Sequence, residues 1–284
     1  MTESPSIILN GTLVSEIEAK VSPLNRGMMY GDGCFETLKS YRRKFLEWNL
    51  HFQRLSESLE YLGIENDFTN TGLKEEISRL LKANNLDQKE ALIRIQCWRE
   101  GGRGYKPVSS KMSWMIQAEE IKNSYEPLKL ITAETRCIPS QALERGFKLS
   151  NGLNYIKAAQ EAQNRNADDA LMLTMTDFIS ETTSANIFWL HDEAVFTPSE
   201  KCDLLPGITR KLVADVLLRN DVKLEKGEFS IAHIRQAEAA FCCNSVREIQ
   251  EVASIDEKDM EIGHPLVKKI MVLFEKYKFE LLNR

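Results

Sequence analysis

The chain lacks the short signatures that usually announce a nucleotide, a metal or a serine nucleophile. No G-x-G-x-x-G and no G-x-x-x-x-G-K-[ST] string occurs, so dinucleotide and mononucleotide loops have no support. A G-x-S-x-G elbow is also missing, which weakens a Ser-His-Asp hydrolase. The four histidines, at 51, 191, 233 and 264, are far apart and none has H-E-x-x-H spacing; each reads as a surface or core histidine, and no metal is expected. The six cysteines (34, 97, 137, 202, 242 and 243) include no C-x-x-C pair. The start, MTESPSIILNGTLV, has no basic segment followed by an apolar one, so a reducing cytoplasm is expected. No apolar run approaches the roughly 20 residues of a spanning helix, and no membrane partner is expected. Cationic excess is lacking too. A formal net charge of −5 and a pI near 5.6 argue against nucleic acid, because phosphate binding needs clustered Lys and Arg.

What is present is enough apolar residue for a substantial interior. With 284 residues and 43% hydrophobic content the chain can bury one large core or two ordinary ones, and two domains are expected. Asn10-Gly11 between SIIL and TLV is a hairpin signal, and YRRK at 41–44 reads as a second hairpin turn. Phe52, Leu55, Leu59 and Leu62 form the stripe of an amphipathic helix that Gly63 ends. A further helix is predicted in LKEEISRLLKANNL, and strands in ALIRIQCWRE and KMSWMIQAEEI. After these, strands (LKLITAETR, DALMLTM, NIFWL, EAVFTPS, AEAAFCC) alternate with helices (YIKAAQEAQNR, GITRKLVADVLLRN, HPLVKKIMVLFEKY). The reading is a mixed α/β (α+β) chain with an N-terminal domain over 1–118, a polar linker over 119–127 and a C-terminal domain over 128–284. Arg54 on a helix, the turn LLPGITR and the cluster CCNS are phosphate-friendly, since turn amides at a helix start plus an arginine make an anion cradle.

Five strings in order, NRGMMYGDGCFETLKS, HFQRLSESLEYLGI, NADDALML, ISETTSANIFW and LLPGITR, resemble the motif series of the fold-type IV pyridoxal-phosphate enzymes. That family includes branched-chain and D-amino acid aminotransferases and aminodeoxychorismate lyases. The resemblance spans nearly the whole chain. It implies a smaller N-terminal and a larger C-terminal α/β domain with pyridoxal 5'-phosphate in the cleft between them, and a homodimer.

Residue by residue, the resemblance implies that Lys148, which begins a K-x-x-N pattern with Asn151, attaches the cofactor, and that Lys157 lies on the following helix. A lysine that attacks an aldehyde must be neutral, so burial or a nearby cation is expected to lower its pKa. Glu181 matches the glutamate that pairs with the pyridine nitrogen. Arg54 would hold the phosphate, with amides of Ile208 and Thr209 and polar groups of Asn244 or Ser245. The loop REGGRGYKP resembles that of the lyases. Its Arg103 and Tyr105 would clamp a substrate carboxylate from the neighbouring subunit, and Thr37 would assist proton transfer. The string NSVRE departs from the commoner NSxxGI pattern at Glu248, which leaves the shape of that loop open. The implied reaction is release of pyruvate from 4-amino-4-deoxychorismate, a small-molecule substrate, to give 4-aminobenzoate for folate synthesis. Branched-chain or D-amino acid transamination is the alternative.

Overall fold

The computed structural model describes residues 4–121 and 126–283. It divides into two compact units, Met1–Asn123 with Phe147–Asn151 and Ser124–Gly146 with Gly152–Arg284. Of the stretch 119–127 read as a linker, residues 119 and 120 end a strand, and residues 122–125 lie outside the described residues.

The first unit is an antiparallel sheet with helices. β1 (Ser6–Leu9) and β2 (Thr12–Ser15) meet at Asn10-Gly11, whose φ values of 48° and 78° are those of a primed two-residue turn. After the short α1 (Arg26–Tyr30), β3 (Gly33–Tyr41) and β4 (Lys44–Phe45) close through Arg42 and Arg43, also at positive φ. The Ser40 hydroxyl, which accepts from the Arg43 amide at 3.1 Å, offsets part of the strain of placing arginines there. α2 (Trp48–Leu62) follows, and Gly63 ends it in the left-handed conformation at φ 63°. Leu55 and Leu59 of its stripe are buried. α3 (Asn70–Ala83) begins three residues ahead of the predicted apolar run, because the Thr69 hydroxyl caps the Gly72 amide. β5 (Glu90–Arg99) and β6 (Met112–Glu120) complete a six-stranded sheet in the order β2-β1-β6-β5-β3-β4.

Phe147–Asn151 belongs to this unit because it adds to the edge of β3. The Phe35 amide donates to the Lys148 carbonyl and the Ser150 amide to the Gly33 carbonyl, both at 2.9 Å, and Cys34 bridges Leu149. Gly33 is where the backbones crowd: a Cβ there would stand 2.2 Å from the Cys97 carbonyl oxygen.

The second unit is built on a mixed nine-stranded sheet. Its elements are β7 (Leu128–Thr132), α4 (Leu153–Asn164), β8 (Asp169–Leu173), β9 (Ile179–Thr182), β10 (Asn186–His191), β11 (Ala194–Pro198), α5 (Ile208–Arg219), β12 (Leu224–Gly227), α6 (Ile231–Ile234), β13 (Ala239–Asn244), β14 (Glu248–Ile255), β15 (Lys258–Asp259) and α7 (Pro265–Leu282). The sheet order is β12-β11-β10-β13-β14-β7-β8-β9, with β15 beside β14. Strands β8 and β9 are buried along their whole length, and they carry the buried carboxylates Asp169 and Glu181 among apolar and small residues. Ile187, Trp189, Leu171 and Val252 centre one core cluster. Each such side chain withdrawn from water contributes about 2 kcal/mol.

Candidate active site

In the first unit the candidate residues gather about β3. Phe35 and Thr37 share one face of the strand by its two-residue period, and Arg94 of β5 stands directly opposite Thr37. The Lys148 amine lies 4.7 Å from the centre of the Phe35 ring, and the Arg94 guanidinium 3.9 Å from the same ring. Arg94 is thus a second cation against the Phe35 ring. Its own burial lowers its pKa from the usual value, a cost that an incoming carboxylate relieves. Gln96, opposite Phe35, accepts from Arg94 at 3.0 Å and donates to the Ser150 hydroxyl at 2.8 Å, so one side chain steadies both the arginine and the lysine's segment. Sequence reading missed Arg94 and Gln96; the signal was the polar i, i+2 pair in ALIRIQCWRE, a strand with few other polar residues. Lys157 is exposed on α4, where it donates to Gln160 at 3.3 Å.

Glu36 faces the other way, toward α2. Arg54 grips it with two bonds, Nε to Oε2 at 2.9 Å and Nη2 to Oε1 at 2.7 Å, and His51 Nδ1 lies 3.2 Å from Oε1. Burial alone would raise the Glu36 pKa, but Arg54 and His51 outweigh it and hold the carboxyl well below the usual carboxylate range. The third nitrogen of Arg54, Nη1, is buried and has no hydrogen-bond partner. A fixed, desolvated cationic donor of this kind fits an anion such as a phosphate. Arg54→Ala is expected to weaken cofactor affinity on the order of tenfold or more, read as the dissociation constant from absorbance titration. A wild-type constant would assign the arginine to Glu36 alone.

In the second unit Glu181 sits in β9 with 5% of its surface exposed, so it is not a solvated strand end. The Tyr155 hydroxyl donates to Oε1 at 2.7 Å, and the Leu205 amide and Asn186 Nδ2 donate to Oε2 at 3.1 and 3.3 Å. Arg145 Nη2 stands 3.5 Å from Oε1. These donors fix the carboxylate in orientation and favour its charged form. The negative charge is felt nearby: burial first, and then Glu181, push the Cys137 thiol up to about 12. Tyr155, Asn186 and Arg145 were missed in the sequence, although the Asn of TTSAN and the Tyr of LNYI lay in view.

Asn186 also donates to the Leu205 carbonyl at 2.9 Å, which ties Glu181 to the turn before α5. Gly207 lets this happen, since a Cβ there would meet Asn186 Oδ1 at 2.1 Å. It is the N-cap of α5 and makes no side-chain cap bond, so the first-turn amides of Ile208 and Thr209 are left without intrahelical partners, as an anion would use them. Both residues are buried. Asn244 is committed to its own turn: Oδ1 accepts from the Val246 and Arg247 amides, and Nδ2 donates to the Ser184 carbonyl at 3.2 Å. Ser245 is half-buried in the same turn. Glu248, where the loop shape was open, adopts φ 61° and so takes up a conformation that favours glycine; Lys278 holds its carboxylate at 2.5 Å.

The loop with Arg103 and Tyr105 is anchored at its base. Arg26 Nη1 donates to the Gly104 carbonyl at 2.7 Å, the Gly104 amide donates to the Tyr30 hydroxyl at 2.8 Å, and the Tyr30 and Tyr105 rings are 5.7 Å apart. Arg103 and Tyr105 themselves are exposed.

The model of the Amino-transferase class IV family matches residues 33–255, which include Thr37, Arg54, Lys148, Glu181 and the α5 turn. The chain belongs to the class IV aminotransferases. Like other members of this family it is a pyridoxal-phosphate enzyme, and the unpartnered, buried Arg54 nitrogen fits that group's phosphate. An aminodeoxychorismate lyase of Vibrio harveyi is 29% identical over 86% of this chain and 90% of its own. A D-alanine aminotransferase of Staphylococcus epidermidis is 26% identical over 95% and 97%. Among solved structures, a branched-chain aminotransferase from Thermoproteus uzoniensis superposes with a TM-score of 0.90 at 25% identity, covering 99% of this chain and 95% of the other. These likenesses bear out the mixed α/β, fold-type IV architecture. Among the described residues no helix is long and apolar enough to cross a membrane.

Proposed function

We propose that this class IV enzyme is a 4-amino-4-deoxychorismate lyase. The observation that carries the reading is the neighbourhood of β3, where the Lys148 amine and the Arg94 guanidinium both lie against the Phe35 ring and Arg94 stands opposite Thr37, which would supply a base, a receptor for a carboxylate and a hydroxyl to relay protons. The resemblance of GGRGY to the lyase loop supports it.

Bound cofactor supplies an electron sink for the carbanion. Lys148 would hold it covalently and, as a free amine, would take the proton from the amine-bearing ring carbon of the substrate. Glu181, fixed by Tyr155 and the Leu205 amide, would keep the cofactor's pyridine nitrogen protonated. The ring C–O bond then breaks, the enolpyruvyl group leaves and gains a proton to become pyruvate, and the ring becomes aromatic as 4-aminobenzoate. Arg54 in the first unit and the α5 amides in the second would each offer donors to an anionic group such as the phosphate. Arg94 binds one substrate carboxylate and Arg103, from a second copy, the other.

Wild-type enzyme supplied with enzymatically made aminodeoxychorismate is expected to release pyruvate. Transamination of leucine or D-alanine with 2-oxoglutarate, and no pyruvate from aminodeoxychorismate, would transfer the chain to the second reading, an aminotransferase, which the Staphylococcus likeness favours. Arg103→Ala is expected to raise KM for the lyase substrate on the order of tenfold or more with cofactor affinity unchanged. An unaltered KM would remove Arg103 from the substrate site.

The homodimer belongs to the same proposal. Ile17, Leu24 and Met28 of the first unit are exposed apolar side chains of the kind a second copy covers. Light scattering at working concentration is expected to give twice the 32.5 kDa chain mass, and a fully active monomer would contradict it.

A further inference from the structure

Three of the four histidines, scattered in the sequence, come together on the second unit. The His191 and His233 rings are 6.0 Å apart, and His264 Nε2 lies 3.4 Å from Glu238 Oε2. Strand pairing causes this. Leu190 of β10 pairs with Ala239 of β13, so His191 leaves one strand where Glu238 enters the other. The chain then turns through Asp192 and Glu193 at φ 48° and 60°, and the Asp192 amide donates to Glu238 Oε1 at 3.3 Å. His191 Nε2 is 3.3 Å from Asp192 Oδ2. One potential ligand atom from each of His191, Asp192 and Glu238 lies within 4.8 Å of the others.

We propose that His191, Asp192 and Glu238 form a site for a divalent transition-metal ion, with Zn²⁺ or Co²⁺ as its probes. An imidazole and two carboxylates suit such ions, whose tetrahedral ligands stand about 3.3 Å apart, and exposed carboxylates have the freedom to close that distance. His264 is placed to steady Glu238 rather than to ligate. Its Nδ1 accepts from the Leu266 amide at 3.3 Å, which leaves the proton on Nε2, facing the carboxylate. His233 is likewise committed, since its Nδ1 accepts from the Trp189 indole at 3.0 Å. Glu193 and Asp221 on the adjoining cleft add negative charge, and Lys223 on the same rim is paired with Glu225 at 2.9 Å. Of the three ligands, Glu238 lines this cleft. The ion would clip the β10–β11 hairpin to the start of β13.

Chelator-treated holoenzyme titrated with ZnCl2 by calorimetry is expected to bind one ion per chain, and Zn²⁺ to raise its unfolding midpoint. His191→Ala and Glu238→Gln should each weaken binding at least tenfold. Asp192→Asn, which keeps a residue that the turn favours, should do the same with unchanged circular dichroism and cofactor content. Co²⁺ should give weak visible bands without a thiolate charge-transfer band. No saturable binding up to millimolar Zn²⁺, equal binding by the His191→Ala/Glu238→Gln double variant, or a thiolate band with Co²⁺ would each overturn the site.

Discussion

Lys148→Ala enzyme, purified with excess pyridoxal phosphate, is expected to lack the visible absorbance of lysine-bound cofactor and to form no borohydride-reducible adduct. Turnover should fall on the order of 10³-fold or more, because both the covalent attachment and the proton-abstracting base are lost. Lys157→Ala is the matched control. It removes an exposed amine bonded to Gln160 and should leave colour and rate unchanged. A yellow, reducible Lys148→Ala protein would move the reactive amine elsewhere. The prediction rests on local geometry as well as on the K-x-x-N pattern, since the Lys148 carbonyl is held by the Phe35 amide at 2.9 Å while its amine meets the Phe35 ring.

The second large effect belongs to Glu181. Glu181→Gln should retain cofactor, whose phosphate contacts are untouched, yet lose turnover on the order of 10²- to 10³-fold, as expected when a preorganised charge opposite the developing electron density is removed. The substitution keeps the shape of the side chain. It also asks Tyr155, Asn186 and the Leu205 amide, all donors to the carboxylate, to face an amide with one acceptor, so a thermal shift should accompany the kinetic one. Unchanged turnover with lowered stability would make Glu181 a structural anchor.

Local signals carried the fold a long way. Asn10-Gly11, the leucine stripe before Gly63 and the alternating strands of the first unit all took the form that their turn residues and periods predict. β14 was not among the predicted strands, because EIQEVASI mixes charged and small residues whose burial comes only from its neighbours β13 and β7. The five-residue α1 is too short for a periodic signal; the Asn25 side chain caps it by accepting from the Met28 amide. The candidate site divided in a similar way. Lys148, Glu181 and Arg54 stood out through ordered motifs, whereas Tyr155, Arg94 and Asn186 act through partners far along the chain, and spacing holds no trace of those. The histidines mislead for the same reason: distance in sequence says nothing about which strand ends pair.

The edge strand at 147–151 has a consequence for anyone who would cut this protein in two. A break in the polar stretch after Glu120 looks like the natural place to part the molecule, yet the fragment carrying 128–284 would take Lys148 with it and leave the β3 edge that holds it behind. The other fragment would carry a bare strand edge at Gly33–Phe35, ready to recruit any extended segment. The two pieces would have to recover each other by strand complementation, with Phe147–Asn151 as the donated strand. Neither half would carry both sides of that pairing.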